Sequence, residues 1–240
     1  MRYYFFGGPV TRTVKILIAI NVFVYLLQVV SNLLGSDFME LNFGLVPIRI
    51  TQEWMLWQLV TYMFLHGGVI HLFFNMLSLF MFGNDLERYW GTGRFLGYFF
   101  ITGIGAGICS WLVAMNKWAV VVGASGAVYG LLLAYGMTYP NRIVYLNFLL
   151  PLKVKWLVLI MGGMAFLSSI GGSEPEVASI AHLSGMVIGY IYLKVDKWIE
   201  KYRFFYRTRQ NEELRRQFEV YYGDVRRKID FDKKKPPTVH

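Results

Sequence analysis

The chain has 240 residues, of which 55% are hydrophobic and only 16% are charged. A soluble globular domain usually carries about 25% charged residues, so this composition excludes an ordinary soluble domain. The formal net charge of +9 lies mostly in the C-terminal tail without a nucleic-acid-binding motif, so we expect no nucleic-acid partner, and the single cysteine, Cys109, excludes an internal disulfide framework.

The apolar residues form long blocks rather than periodic stripes, which is typical of membrane-spanning helices. A helix needs roughly 20 residues to cross about 30 Å of hydrocarbon. We therefore predict an all-α fold, a polytopic membrane protein built as a bundle of six transmembrane helices. In chain order, the predicted spans are residues 16–35, 69–83, 95–115, 121–139, 156–170 and 177–193, with a charged turn at 85–94.

Basic residues are distributed unequally between the two sets of loops that these spans define. One set, together with the tail, holds most of the Lys and Arg residues, whereas the other set holds only Arg49 and Lys117. The positive-inside rule therefore predicts that both termini are cytoplasmic. We divide the chain into a cytoplasmic lead at 1–13, a six-span domain at 14–195 and a basic cytoplasmic tail at 196–240, which anionic lipid of the bilayer would attract.

Three of the predicted spans carry polar residues that are unusual in an apolar helix. With both termini cytoplasmic, spans 2, 4 and 6 all enter the membrane from the outer side. His71, Ser125 and His182 then lie on the order of 10 Å below the outer surface, at a rise of about 1.5 Å per residue. Ionisable groups at such a depth are costly and often functional, so the three helices predict one shared polar site.

Glycines at a spacing of four residues predict close contact between spans 4 and 6. Gly126 and Gly130 lie in span 4, and Gly185 and Gly189 lie in span 6. Small residues at this spacing allow the backbones of membrane helices to touch. His182 shares one helical face with Gly185 and Gly189, so we expect the closely packed face of span 6 to carry the histidine.

The residue types at this depth suit nucleophilic catalysis. A serine hydroxyl needs a neighbouring base, and neutral histidine is the usual one, which makes Ser125 and His182 a candidate dyad. The side chains of His71 and Asn75, with the Ser125 backbone N–H, are candidate donors to the oxyanion. Tyr129 is a candidate to stack on the imidazole, because no Asp or Glu lies at this depth.

Four pieces of the sequence, in this order, resemble the rhomboid family of intramembrane serine proteases. They are His71-Leu72-Phe73-Phe74-Asn75, Glu87-Arg88, Gly123-Ala124-Ser125-Gly126 and Ala181-His182-Leu183-Ser184-Gly185. The resemblance covers about residues 12–195. It implies that Ser125 is the nucleophile and His182 the general base, with His71 and Asn75 at the family's oxyanion positions.

The resemblance also implies a substrate class and a route to the site. Members of the family cleave membrane-anchored proteins within or beside a transmembrane helix and use no metal or cofactor. Water would reach the site from the outer face, and substrates would enter laterally near span 5. The chain departs from the family pattern at Trp57-Gln58, where many members have arginine after the tryptophan.

Three alternatives to a protease stay open at this point. One is a lipid-binding scaffold that uses the basic tail, whose activity would survive loss of Ser125. A non-catalytic relative would bind membrane proteins without cutting them, but the presence of both Ser125 and His182 argues against it. A metal or ion carrier would use His66, His71 and His182, but the spans lack the acidic partners expected of an ion path. We expect a multi-pass protein of the bacterial inner (plasma) membrane, and the substrate, oligomeric state and organism stay open.

Overall fold

The computed structural model describes residues 9–146, 150–170 and 176–233. Residues 1–8 of the predicted lead, residues 234–240 of the predicted tail, and residues 147–149 and 171–175 lie outside these described residues. The elements in chain order are α1 Arg12–Leu33, α2 Phe38–Phe43, α3 Pro47–Glu53, α4 Gln58–Thr61, a 3-10 turn Tyr62–Phe64, α5 Val69–Ser78, a π-helical turn Leu79–Gly83, α6 Asn84–Trp90, α7 Thr92–Val113, α8 Ser125–Thr138, β1 Ile143–Leu146, β2 Leu150–Lys153, α9 Val154–Ile170 and α10 Glu176–Lys233.

Among the described residues, four helices are long and apolar enough to cross a membrane. They are Arg12–Leu33, Val69–Trp90, Thr92–Val113 and Val177–Gly223. Together with the composition, these helices identify a helical integral membrane protein. The helix α8 has 14 residues and α9 has 17, so the count of six spans stays a prediction.

Span 2 extends further than the sequence predicts. We expected it to end at 83 and to be followed by a charged turn at 85–94, but the helix continues to Trp90 through α5, the π-helical turn and α6. The chain turns at Gly91, whose φ of +81° is readily adopted by glycine. The predicted position of the turn was therefore wrong.

The carboxylates of Asp85 and Glu87 are accommodated in this helix because other side chains donate hydrogen bonds to them. Glu87 is buried and accepts hydrogen bonds from the hydroxyls of Thr11 and Thr92. Asp85 accepts hydrogen bonds from Arg142 Nη1 at 2.6 Å and from the Tyr135 hydroxyl at 3.1 Å. Thr11, Tyr135 and Arg142 are distant in sequence, so the charges alone, without these partners, predict a loop.

Span 4 begins later than the sequence predicts. Its helix starts at Ser125, whereas we placed the start of the span at Val121. The residues from Val121 to Gly123 lie outside the helix, because Val121 pairs with Leu45 as an antiparallel bridge with both backbone hydrogen bonds at 2.9 Å and the Gly123 N–H donates to the Tyr62 carbonyl at 2.9 Å. The serine therefore lies at the N-terminus of α8 and not within a helix.

A small antiparallel hairpin follows α8, in the stretch that we assigned to a loop. The strands β1 and β2 pair from Ile143 opposite Lys153 to Leu146 opposite Leu150. The Val154 N–H then donates to the Arg142 carbonyl at 2.9 Å, which joins the start of α9 to the base of the hairpin. The strands are each four residues long, which leaves little periodic signal in the sequence.

The segment between spans 1 and 2 is folded and contains α2, α3 and α4. Gln58, at the position where the resemblance expects an arginine, has 0% exposure. Its Oε1 accepts from the Val46 N–H at 2.9 Å, and its Nε2 donates to the Leu41 carbonyl at 3.0 Å. The neutral side-chain amide of Gln58 thus hydrogen-bonds to two backbone groups of this segment.

The chain divides into two compact units, one ending at Leu193 and one beginning at Lys194. The described part of the second unit belongs to α10, and its large apolar side chains are exposed. Trp198 and Tyr202 stack with ring centroids 5.6 Å apart, and the Tyr202 hydroxyl donates to that of Tyr206 at 3.1 Å. The functional groups that the sequence predicts all lie in the first unit.

Candidate active site

Ser125 and His182 come together from α8 and α10. Ser125 Oγ and His182 Nε2 are 2.8 Å apart, within hydrogen-bond distance. A neutral imidazole in this position can accept the proton of the hydroxyl. Because Ser125 is the first residue of α8, its backbone N–H is one of the four without a partner inside the helix, at the positive end of the helix dipole.

Tyr129 lies one helical turn after the serine and covers the imidazole. The rings of Tyr129 and His182 have centroids 4.4 Å apart and an interplanar angle of 4°. Aromatic pairs of this kind contribute about 0.5–1.5 kcal/mol beyond the area that they bury. The contact constrains the plane of the imidazole that faces Ser125.

The backbones of α8 and α10 touch at the level of this pair. A Cβ at Gly185 would overlap the carbonyl oxygen of Gly126. A Cβ at Gly126 would lie 2.7 Å from the Cβ of Ala106 and 3.4 Å from the Ala181 carbonyl oxygen. Glycine at both positions therefore permits the approach that brings Ser125 within reach of His182.

The second pair of glycines does not make the direct contact that the spacing predicts. A Cβ at Gly130 would lie 2.8 Å from Thr102 Cβ, and a Cβ at Gly189 would overlap the hydroxyl of Tyr98. The same hydroxyl donates to the Gly130 carbonyl at 2.8 Å. Tyr98 of α7 thus occupies the space between Gly130 and Gly189. Both glycines pack against α7 and not against each other.

His71 lies in the first turn of α5 with its ring against Gly123. The φ of Gly123 is +123°, and a Cβ there would lie 2.7 Å from His71 Cε1 and 2.8 Å from His71 Nε2. The same point is 3.7 Å from Ser125 Oγ. On the other side of the ring, Nδ1 accepts a hydrogen bond from the Gly67 N–H at 3.4 Å. The space left by the missing side chain is therefore bordered by His71 Nε2 and Ser125 Oγ.

Asn75 lies one turn further along α5 and is buried. Its Nδ2 donates to the His71 carbonyl at 3.0 Å, which uses one of the two hydrogens of the amide nitrogen. The described contacts therefore join Asn75 to His71 and not to Ser125.

His66 is also buried, with its ring edge-on to that of His71 at a centroid distance of 5.3 Å. Across the part of the chain that the structure describes, neither ring nitrogen of His66 has a hydrogen-bond partner. The same residues contain no group of three His, Cys, Asp or Glu side chains placed to hold a metal ion. His182, the third histidine of the alternative metal carrier, is hydrogen-bonded to Ser125.

Gln28 borders the site from α1 and was not among the residues that the sequence predicted. Its side-chain amide bonds to both backbone groups of His66 and to Glu40. The signal that could have found it is a glutamine within an apolar span, because a buried amide needs partners.

Comparisons with known proteins agree on one family. The family model described as the Rhomboid domain matches residues 53–198, more than half of the chain. The chain is 33% identical over 161 residues to RHOMBOID-like protein 5 of Arabidopsis thaliana, which covers 66% of this chain and 50% of the relative. The chain thus spans about half the length of that relative.

Two bacterial proteins are similar over most of their own length. The putative rhomboid protease YdcA of Bacillus subtilis is 34% identical over 152 residues, which covers 62% of this chain and 72% of the relative. The rhomboid protease AarA of Providencia stuartii is 30% identical over 204 residues, which covers 76% of this chain and 71% of the relative.

Proposed function

The chain belongs to the rhomboid family, and on this basis we propose that it is an intramembrane serine endopeptidase. Its substrates are transmembrane or membrane-anchored proteins. In the proposal the chain crosses the bilayer six times with both termini in the cytoplasm, through α1, α5–α6, α7, α8, α9 and the first part of α10. The names of the two bacterial relatives, one a rhomboid protease and one a putative rhomboid protease, support this activity.

Ser125 is the nucleophile and His182 the general base in this proposal. Ser125 Oγ attacks the carbonyl carbon of the scissile bond while His182 Nε2 takes the hydroxyl proton. The distance of 2.8 Å between these atoms is the observation that carries the proposal. The imidazolium then gives its proton to the departing amine, and water, activated by the same histidine, hydrolyses the acyl-enzyme.

Donors around Ser125 stabilise the oxyanion that this attack creates. One is the Ser125 backbone N–H at the start of α8, and the others are His71 Nε2–H and Asn75 Nδ2. The support for His71 is its hydrogen bond from Gly67 to Nδ1, because a neutral imidazole that accepts at Nδ1 carries its proton on Nε2. Removal of one such donor typically lowers kcat about 10²–10³-fold.

A substrate helix must open before its backbone can reach Ser125. We therefore propose small residues at the cut and a glycine or proline nearby, since both weaken helices. Substrates enter beside α9, the proposed fifth span. We place the chain in a bacterial plasma membrane, which the relatives from Bacillus subtilis and Providencia stuartii support.

The test is cleavage of a labelled single-span substrate in liposomes. Ser125→Ala and His182→Ala should each lower kcat by on the order of 10⁴-fold or more. Thr208→Ala is the control, since Thr208 is an exposed residue of α10 whose described hydroxyl hydrogen bond goes to the Phe204 carbonyl of the same helix. It should cut at the wild-type rate.

Cleavage by Ser125→Ala at the wild-type rate would contradict the proposal. A fluorophosphonate probe supplies a readout that needs no substrate. It should label wild type and Thr208→Ala but neither Ser125→Ala nor His182→Ala.

A further inference from the structure

Gln28 has a buried side-chain amide whose oxygen and nitrogen are both hydrogen-bonded, although it lies in a lipid-facing helix. Its neighbours Leu26 and Leu27 are 57% and 46% exposed, whereas Gln28 is 4% exposed. Burying an amide without hydrogen bonds costs several kcal/mol, so its partners decide whether it is tolerated. Oε1 accepts from the His66 N–H at 3.0 Å, and Nε2 donates to the His66 carbonyl at 2.9 Å and to Glu40 Oε1 at 2.8 Å.

The bond to the His66 carbonyl fixes a peptide plane. The C=O of His66 and the N–H of Gly67 belong to one planar trans peptide and point in opposite directions. Gln28 holds the carbonyl end, and the N–H end donates to His71 Nδ1 at 3.4 Å. Two glycines follow His66, and glycine restricts the backbone least, so the turn needs a clamp from outside.

The orientation of this peptide determines which nitrogen of His71 carries the proton. While the Gly67 N–H points at Nδ1, Nδ1 accepts and the proton of the neutral ring resides on Nε2. Nε2 borders the empty Cβ position of Gly123, next to Ser125 Oγ. A hydrogen bond to the peptide carbonyl also polarises the peptide and strengthens its N–H as a donor.

We propose that Gln28 is a positioning residue for the active site. It holds the His66–Gly67 peptide so that the Gly67 N–H keeps His71 in the tautomer with its proton on Nε2. The inference rests on the oxyanion role proposed above for His71 and extends that site to span 1.

Asn32 provides a matched control on the same helix. It lies one turn after Gln28, and its Nδ2 donates to the same acceptor, Glu40 Oε1, at 2.9 Å. Its described hydrogen bond does not involve the peptide between His66 and Gly67. Gln28→Met and Asn32→Leu therefore both remove a bond to Glu40, but only Gln28→Met releases the peptide.

The direct measurement is the His71 tautomer. Protein labelled with ¹⁵N-histidine is compared by long-range ¹H–¹⁵N spectra, and His71 is assigned by its loss in His71→Asn. Wild type and Asn32→Leu should show His71 protonated on Nε2, whereas Gln28→Met should show a mixture of both tautomers. In the liposome assay Gln28→Met should lower kcat about 10-fold with KM within twofold, since it weakens one oxyanion donor without removing it.

A second, more conservative variant is measured if Gln28→Met fails to fold. Gln28→Asn keeps a side-chain amide at this position but is one methylene shorter, so it cannot make the same hydrogen bonds to the His66 backbone and should give the same mixture of tautomers. The inference is overturned if the proton of His71 stays on Nε2 in the folded variant, or if Asn32→Leu changes the proportion of tautomers as much as the Gln28 variant does. Because the spectra do not depend on cleavage, an active Ser125→Ala would refute the protease proposal without deciding this one.

Discussion

Gly123 is the residue at which the site tolerates no side chain. Its φ of +123° disfavours any residue with a Cβ, and the position of that Cβ is already bordered by the His71 ring. His71 is in turn held by Gly67 on its far side, so the ring has little room to retreat. A single methyl group at 123 would therefore act on the proposed oxyanion donor and not only on local backbone strain.

Gly123→Ala should lower kcat about 10²-fold, the effect of losing one oxyanion donor. The backbone strain should also lower the free energy of unfolding by about 1–3 kcal/mol. Gly93→Ala is the control, because a Cβ there would meet no atom within 4 Å. Steady-state cleavage and thermal unfolding in detergent measure the two effects, and a Gly123→Ala variant with wild-type kcat would contradict the geometry.

At the scale of elements, the helices were predictable from their apolar blocks, whereas their ends depend on distant partners. The late start of α8 could not be predicted from the residues between Val121 and Ser125. The backbone there is held outside the helix by hydrogen bonds to Leu45 and Tyr62, which are distant in sequence. The end of span 2 was misplaced because Asp85 is hydrogen-bonded to Arg142 and Glu87 to Thr11, both far away in sequence. Local pattern carries no information about such pairing.

The candidate site was likewise predictable from the sequence only in part. Ser125 and His182 are polar residues at matched depth in apolar spans, so the sequence could place them near each other, and the structure puts them 2.8 Å apart. Gln28 carries no motif, and its role depends on which backbone peptide lies opposite. The failure of Gly189 to meet Gly130 likewise depends on Tyr98, a residue of a third helix.

The contact between α8 and α10 should be the element interface most sensitive to added volume. In Gly185→Ala the new Cβ would overlap the Gly126 carbonyl, and a backbone atom cannot turn aside as a flexible side chain can. We expect a loss of about 1–3 kcal/mol in the free energy of unfolding, typical of overpacking, and a lower kcat as Ser125 and His182 separate. Gly163→Ala in α9, where a Cβ meets no atom within 4 Å, should match wild type. Equal unfolding temperatures of the two variants would contradict the proposed contact.

At the scale of the whole molecule, the number of spans depends on α8 and α9. The helix α8, with 14 residues, is about 21 Å long and therefore shorter than the roughly 30 Å hydrocarbon layer. The residues that precede it enter the same packed core, as the burial of Val121 and Ala124 indicates. In the proposed topology this helix and the segment before it cross the layer together, and Arg142 lies on the cytoplasmic side with the other basic loop residues.

Cysteine labelling in intact cells tests this topology. In a Cys109→Ser background, Asp37→Cys should react with a membrane-impermeant maleimide from outside, because it follows span 1. Asn141→Cys and Thr208→Cys should react only after lysis, since they follow spans 4 and 6; all three positions are exposed side chains. Outside labelling of Asn141→Cys would mean that α8 does not cross the membrane, and the six-span arrangement would then be wrong. Cys109→Ser alone, which has no cysteine, supplies the background signal.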